Sequence, residues 1–117
     1  MTDEPAPGTE DREAYVEAVL RLVEQVPAGR VTTYGDLADA VGRGGPRQVG
    51  QVLATWGGGV PWWRVVRADG SPARGHEAEA LRRLAAEGTP LRGPRVVLAQ
   101  ARHGHGEPRS DASSGTS

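Results

Sequence analysis

Two helix boundaries stand close together in this chain, and they limit its fold more than any other feature. Gly42 ends one helix and Pro46 begins the next. Thr33 with Asp36 three residues later is a capping-box signature. The spacing predicts a helix over 34–41 with Leu37, Ala38 and Val41 inward and Gly42 as its stop. The turn Gly42-Arg43-Gly44-Gly45 follows. Proline suits a first helical position, where its missing N–H has no intrahelical partner. A second helix is therefore expected from Pro46 to about Trp56. Helix, short glycine turn, helix is the helix-turn-helix layout, whose second helix reads nucleic acid. At about 100° per residue, Val49, Val52, Leu53 and Trp56 share one face, and Arg47, Gly50, Gln51 and Ala54 share the other. The second face is small and polar with one long cation, so it can approach a nucleic-acid backbone closely. The plainer reading is an amphipathic helix with a solvated outer face, and the pattern by itself favours that reading.

Charge is informative through its distribution. The chain has 117 residues, enough for one domain, and a net charge of -1 that argues for no particular partner. Residues 1–24 carry seven acids and two arginines, whereas residues 30–74 carry six arginines against three aspartates. A basic middle behind an acidic first helix fits a single charged face, although composition alone favours a mixed solvated surface. All 14 basic residues are arginine and there is no cysteine. This excludes Schiff-base lysines, phosphate-loop lysines, disulfides, thiolate zinc sites and thiol nucleophiles. No apolar run approaches the roughly 18 residues of a membrane helix. The acidic, proline-rich stretch 1–8 is unlike a secretory signal, and a cytoplasmic protein is expected. Phenylalanine is absent and aromatics are 4%, so the core must be small and built from Val, Leu and Ala.

The remaining chain divides readily. Residues 1–8 read as a flexible leader. Thr9 is positioned to cap a first helix, with acids in the first turn and Tyr15, Val19, Leu22, Val23 and Val26 at helical spacing. Pro27-Ala28-Gly29 should end it, and Arg30 to Thr33 leans towards strand. Val60 to Val66 is expected to be extended, with Asp69-Gly70 as a hairpin turn and Ser71-Pro72 opening a return strand or loop, the wing of a winged helix. A last helix is expected over 76–87 with Ala78, Leu81, Leu84 and Ala85 inward, then a strand over 95–99. From His103 onward the composition predicts disorder, which leaves 9–102 as the folded domain. Gly42 to Gly45 lacks the Gly-Lys-Ser/Thr ending of a phosphate loop. His76 stands alone in the sequence, and His103 and His105 lie in the polar tail, so no metal site is expected.

The stretch Pro61-Trp62-Trp63-Arg64-Val65-Val66 follows the glycines 57–59. It reads either as a strand burying one indole and exposing the other, or as a pocket wall offering a flat face for stacking. Its pattern resembles the Pro-Cys-His-Arg-Val motif of the O6-alkylguanine-DNA alkyltransferases, with Trp62 where the nucleophilic cysteine stands. Two further blocks match in the same order: Pro27-Ala28-Gly29-Arg30-Val31-Thr32-Thr33-Tyr34-Gly35-Asp36-Leu37-Ala38 and Arg47-Gln48-Val49-Gly50. Tryptophan at the nucleophile position is the mark of the alkyltransferase-like proteins, which bind the lesion without removing it.

That resemblance implies a mostly helical α/β fold, a winged helix-turn-helix of the alkyltransferase C-terminal type. It implies a non-catalytic sensor of O6-alkylguanine in double-stranded DNA, with no cofactor. It also implies a monomer, associated with the nucleoid when bound, that passes lesions to nucleotide excision repair proteins. Tyr34 matches the tyrosine beside the flipped nucleotide's phosphate. Arg47 matches the arginine that fills the vacated stack, a task suited to a planar guanidinium. Tyr34, Arg47, Gln48, Gly50 and Gln51 become the DNA-contacting set. Trp62, Arg64, Arg74 and Tyr34 become the lesion pocket. Arg64 should hold the site together by hydrogen bonds, and Arg74 sits where a loop faces the pocket. Trp63 replaces the family's general-base histidine and is also readable as core. Glu87 matches the carboxylate that orients this histidine, and without it should be a structural remnant, paired with an arginine. Outside this resemblance stand three other classes: an alkyltransferase using another residue, a winged-helix factor that prefers a sequence over a lesion, and a protein-interaction domain without DNA affinity.

Overall fold

Local chemistry sets the two middle helices. Thr33 Oγ1 accepts the backbone N–H of Asp36 at 3.0 Å, and the helix it caps, α2, spans Tyr34–Val41. Gly42 closes α2 with φ 91°, and its N–H donates to the Ala38 carbonyl. Such a left-handed residue favours glycine. The next helix, α3, spans Pro46–Trp56. At its start Gln48 Oε1 accepts the N–H of Gly45 at 2.9 Å. Both helices thus have the bounds that the sequence predicts. Val49 and Val52 of α3 are buried, but Trp56, expected inward, is 55% exposed. It stands at the last turn, past the end of the core that its face packs against.

The computed structural model describes residues 7–105. The remaining elements are α1 (Pro7–Glu24), β1 (Thr32–Thr33), β2 (Val65–Val66), α4 (Glu77–Ala86), β3 (Leu91–Arg92), β4 (Arg95–Val96) and α5 (Leu98–Ala101). The mostly helical α/β class is as expected. Helix α1 starts at Pro7 rather than after a Thr9 cap, and it stops at Glu24, short of Pro27. Proline needs no N–H partner at a helix start.

Strands β1 and β2 pair in parallel, Thr32 with Val65 and Thr33 with Val66. Successive strand residues face opposite ways, and here that alternation joins two cores. Val65 packs into a cluster with Val19, Val23, Leu37, Val49 and Val52 from the first three helices. Val66 packs into a second cluster with Val31, Leu84, Val96 and Ala101. Each fully buried valine contributes about 1.5–3 kcal/mol.

Several sequence expectations fail in the second half. Val60 to Val66 is not one strand. Pro61 has φ −75° and ψ 70°, and Trp62 N–H donates to the Val60 carbonyl at 2.7 Å, which is an inverse γ-turn. A 3₁₀ turn over Trp62–Arg64 follows, and only Val65–Val66 is extended. The turn at Asp69-Gly70 forms, with Gly70 N–H donating to the Arg67 carbonyl at 2.8 Å. After it the chain continues from Ser71 as a loop, the second of the two expected forms, and the Gly70 carbonyl accepts from Val96 N–H at 2.9 Å. The antiparallel hairpin is β3 with β4. In α4 the buried residues are Ala80 and Leu84, while Ala78 and Ala85 are exposed, so the inward face is rotated from the expected one. The strand expected over 95–99 is β4 followed by the short helix α5.

The chain also stays ordered past His103. The His103 N–H donates to the Val31 carbonyl at 2.7 Å, and the His105 ring meets the Thr32 hydroxyl at 2.7 Å. The rest of the expected tail, 106–117, and residues 1–6 of the expected leader lie outside the described residues.

Candidate nucleic-acid interface

The γ-turn and 3₁₀ turn decide where the two indoles go. Residues in a 3₁₀ turn project about 120° apart, so adjacent tryptophans cannot share a surface. Their rings sit edge to face, 5.8 Å apart at 86°. Trp62 forms one wall of a cavity of about 540 Å³, within the size range of small-molecule sites. Trp63 turns back into the protein.

Behind the turn the polar groups of Trp63, Arg64 and Glu87 are bonded to one another. Trp63 Nε1–H donates to Glu87 Oε2 at 3.0 Å. Arg64 donates to both Glu87 oxygens, from Nε at 3.0 Å and Nη2 at 2.6 Å. Its Nη1 donates to the Val26 carbonyl at 2.9 Å, so Arg64 joins β2, α4 and the chain after α1. The Arg83 guanidinium lies 4.5 Å over the Trp63 ring, a cation–π distance. Burial pushes the Glu87 carboxyl up, but the hydrogen bonds from Arg64 and Trp63 and the Arg64 charge outweigh it and hold the group below the usual glutamate range. Glu87 is thus paired with an arginine, as expected. The indole N–H of Trp63 takes a donor position on this carboxylate, a role beyond packing. Arg64 braces the site, as its motif position predicts, but it does not line the Trp62 cavity.

The front is different in character. Tyr34, Gly50 and Arg74 line the Trp62 cavity and also a neighbouring cleft of about 820 Å³. They therefore form a shared rim between the two. Arg47, Arg67 and Arg102 line the cleft but not the Trp62 cavity. Arg102 is already engaged, donating to both Asp36 oxygens at 2.8 Å, and this hydrogen-bonded pairing holds the Asp36 carboxyl below its usual range. Burial pushes the Tyr34 phenol up, against the opposing charge of Arg67, so Tyr34 is a neutral donor at the rim.

The structure thus brings together Tyr34, Arg47, Gly50, Trp62 and Arg74 of the expected site. Besides Arg64 behind the turn, it separates two others. Gln48 spends its carbonyl on the Gly45 cap and faces a nook beside Tyr15 and Arg43. Gln51 is exposed and lines neither cavity. Three residues escaped sequence reasoning. His76, with its ring 5.5 Å from the Trp62 ring, and Glu79 line the Trp62 cavity, and Arg67 lines the cleft. Among the described residues, no cluster of three or more His, Asp or Glu could hold a metal ion. No helix there is long and apolar enough to cross a membrane.

Residues 14–89 match the family model for the DNA-binding domain of 6-O-methylguanine DNA methyltransferase. The chain belongs to that family. Within reach of this methyltransferase-type domain are proteins called DNA base-flipping protein. The one from Escherichia coli (strain K12) is 40% identical over 65 residues, covering 53% of this chain and 50% of the relative. The one from Vibrio parahaemolyticus is 34% identical over 59 residues, covering 48% of this chain and 59% of the relative. The matched stretch thus spans little more than half the length of these relatives. The fold is similar to that of S. pombe Atl1 in complex with damaged DNA containing O6-carboxymethylguanine. That likeness has a TM-score of 0.70 and 27% identity, and covers 80% of this chain and 97% of Atl1.

Proposed function

We propose that this protein is a non-catalytic sensor that binds duplex DNA and holds a flipped O6-alkylguanine against Trp62. The observation that carries the reading is the shared rim. A cavity walled by an indole opens directly onto an arginine-lined cleft, through Tyr34, Gly50 and Arg74. A duplex lying along α3 places its backbone in the cleft and an extruded base in the cavity. Extrusion costs a few kcal/mol. Arg47 offsets part of this by occupying the vacated stack, and Trp62 offsets more by stacking on the base. Base–aromatic stacking contributes roughly 1–3 kcal/mol. Arg74, on the rim, faces the base as it enters.

Chemistry at this position ends with binding. Alkyl transfer needs a nucleophile, and an indole supplies none. The names of the base-flipping relatives and the lesion in the Atl1 complex support the same reading. It extends to a monomer in the cytoplasm, associated with the nucleoid when bound, that passes the lesion to nucleotide excision repair proteins.

The test is a competition titration of a duplex carrying one O6-methylguanine against the same duplex with guanine, at near-physiological salt. The expected result is strong preference for the modified duplex, with the methyl group retained and the protein mass unchanged. Equal binding identifies a winged-helix DNA binder without lesion specificity. Absence of binding to either turns the search to protein partners. A mass increase on the protein reveals an alkyltransferase.

A further inference from the structure

We infer that Arg67 and Tyr34 form a two-donor clip for a single DNA phosphate, the one attached to the nucleotide whose base enters the Trp62 cavity. This rests on the proposed function and adds a positioning residue that none of the three motif blocks contains.

The argument starts from strand register. Thr33 pairs with Val66 in the parallel ladder, so the next residues, Tyr34 and Arg67, leave the ladder side by side. One begins α2 and the other begins the turn after β2. Both line the cleft, and Tyr34 also lines the Trp62 cavity, whereas Arg67 does not. Arg67 is therefore on the backbone side of the rim, not the base side. Its main chain is fixed at both polar groups, with N–H donating to the Ser71 carbonyl at 2.8 Å and the carbonyl accepting from Gly70 N–H at 2.8 Å. Its guanidinium makes none of the salt bridges among the described residues. The other arginines of the cleft divide the remaining work. Arg102 is bound to Asp36, Arg47 stands exposed at the start of α3, and Arg74 reaches the base cavity.

A nucleotide passing the rim keeps its phosphate in the cleft while its base lies in the cavity. Tyr34 is the rim residue beside Arg67, so a phosphate there meets a phenol and a guanidinium together. Two donors on two oxygens fix direction as well as position, which a point charge does not.

The experiment crosses a protein change with a DNA change. A single uncharged methylphosphonate is walked position by position across the phosphates flanking O6-methylguanine, and each duplex is titrated with parent, Arg67→Ala and Arg67→Lys. In the parent, one position should weaken binding by about tenfold or more, the usual effect of losing charged hydrogen bonds. In Arg67→Ala that position should lose its special effect, because the partner is already gone. Arg67→Ala should also flatten the salt dependence on the modified duplex by about one unit of slope. Arg67→Lys should restore the slope but only part of the coupling, because an ammonium lacks the planar fork.

Additive losses at every phosphate overturn the clip. So does an Arg67→Ala variant in which the same single phosphate keeps its full effect, or whose salt dependence is unchanged. Thermal unfolding checks that each variant is folded, and Arg67→Gln repeats the coupling measurement if Arg67→Ala is not. If the parent shows no lesion preference, the proposed function fails; if it shows one and the losses are additive, the clip alone fails.

Discussion

Trp62 and Trp63 are adjacent and chemically identical, yet they belong to different parts of the molecule. Trp63 has its N–H on a carboxylate, a guanidinium over its face and a valine-lined cluster beneath it. Trp62 walls a cavity, and its aromatic neighbours are two ring edges, Trp63 and His76. One side of the turn is closed by the fold, and the other stays open as a cavity wall. A residue whose groups are satisfied internally contributes to stability. A residue held rigid but incompletely packed contributes to binding, because its ordering cost is met before the ligand arrives.

This contrast can be broken by substitution. The largest effect is expected at the back. Glu87→Ala leaves Arg64, itself 16% exposed, without its carboxylate, and should cost about 3 kcal/mol of stability. Chemical denaturation measures it, and the ratio of affinities for modified and unmodified DNA should stay unchanged in the folded fraction. At the front the signs reverse. Trp62→Ala should lower affinity for modified duplex by about 2 kcal/mol, with a smaller change on unmodified duplex. An equal loss on both DNAs would give Trp62 a folding role and erase the contrast.

The smallest effect sharpens the comparison by pH. The folded Glu87 carboxyl titrates below its ordinary value of 4.5. Its stabilisation is complete above that value and is lost as the pH falls below it. Glu87→Gln should therefore flatten the loss of stability in that range. Some slope should remain, since Asp36 is also held low, mainly by its hydrogen bond from Arg102. Burial lowers the pKa of His103 and of His105. Their contribution is present above 6.5 and fades on acidification through the folded values below it, so it marks a separate, higher window.

What could be read from the sequence follows from how far each signal reaches. The starts of α2 and α3 are set by residues within a turn of each other, Thr33 with Asp36 and Gly45 with Gln48, and both helices were legible. The strand expected over 60–66 failed because Pro61 permits a γ-turn as readily as an extended chain, and neighbours decide between them. The partner of Trp63 lies 24 residues away, beyond any local pattern, though the motif resemblance pointed to Glu87. Arg67 was missed because its place in the cleft comes from the register of β1 against β2. The sequence does hint at it, since an arginine follows Val65-Val66 as Tyr34 follows Thr32-Thr33. His76 and Glu79 reach the cavity through the placement of α4, and no periodicity reveals that.

The two-residue ladder has one more consequence. Val65 belongs to the cluster under the helix-turn-helix, and Val66 to the cluster under the Trp63 brace. No partial opening can free one of these residues without straining the backbone of the other. In hydrogen–deuterium exchange the Val65 and Val66 amides should therefore report the rarest event in the molecule, simultaneous loss of both cores. Amides that belong to one cluster alone have easier routes to solvent. This two-residue ladder is thus the kinetic keystone of the fold, the seam at which two small cores behave as a single cooperative unit.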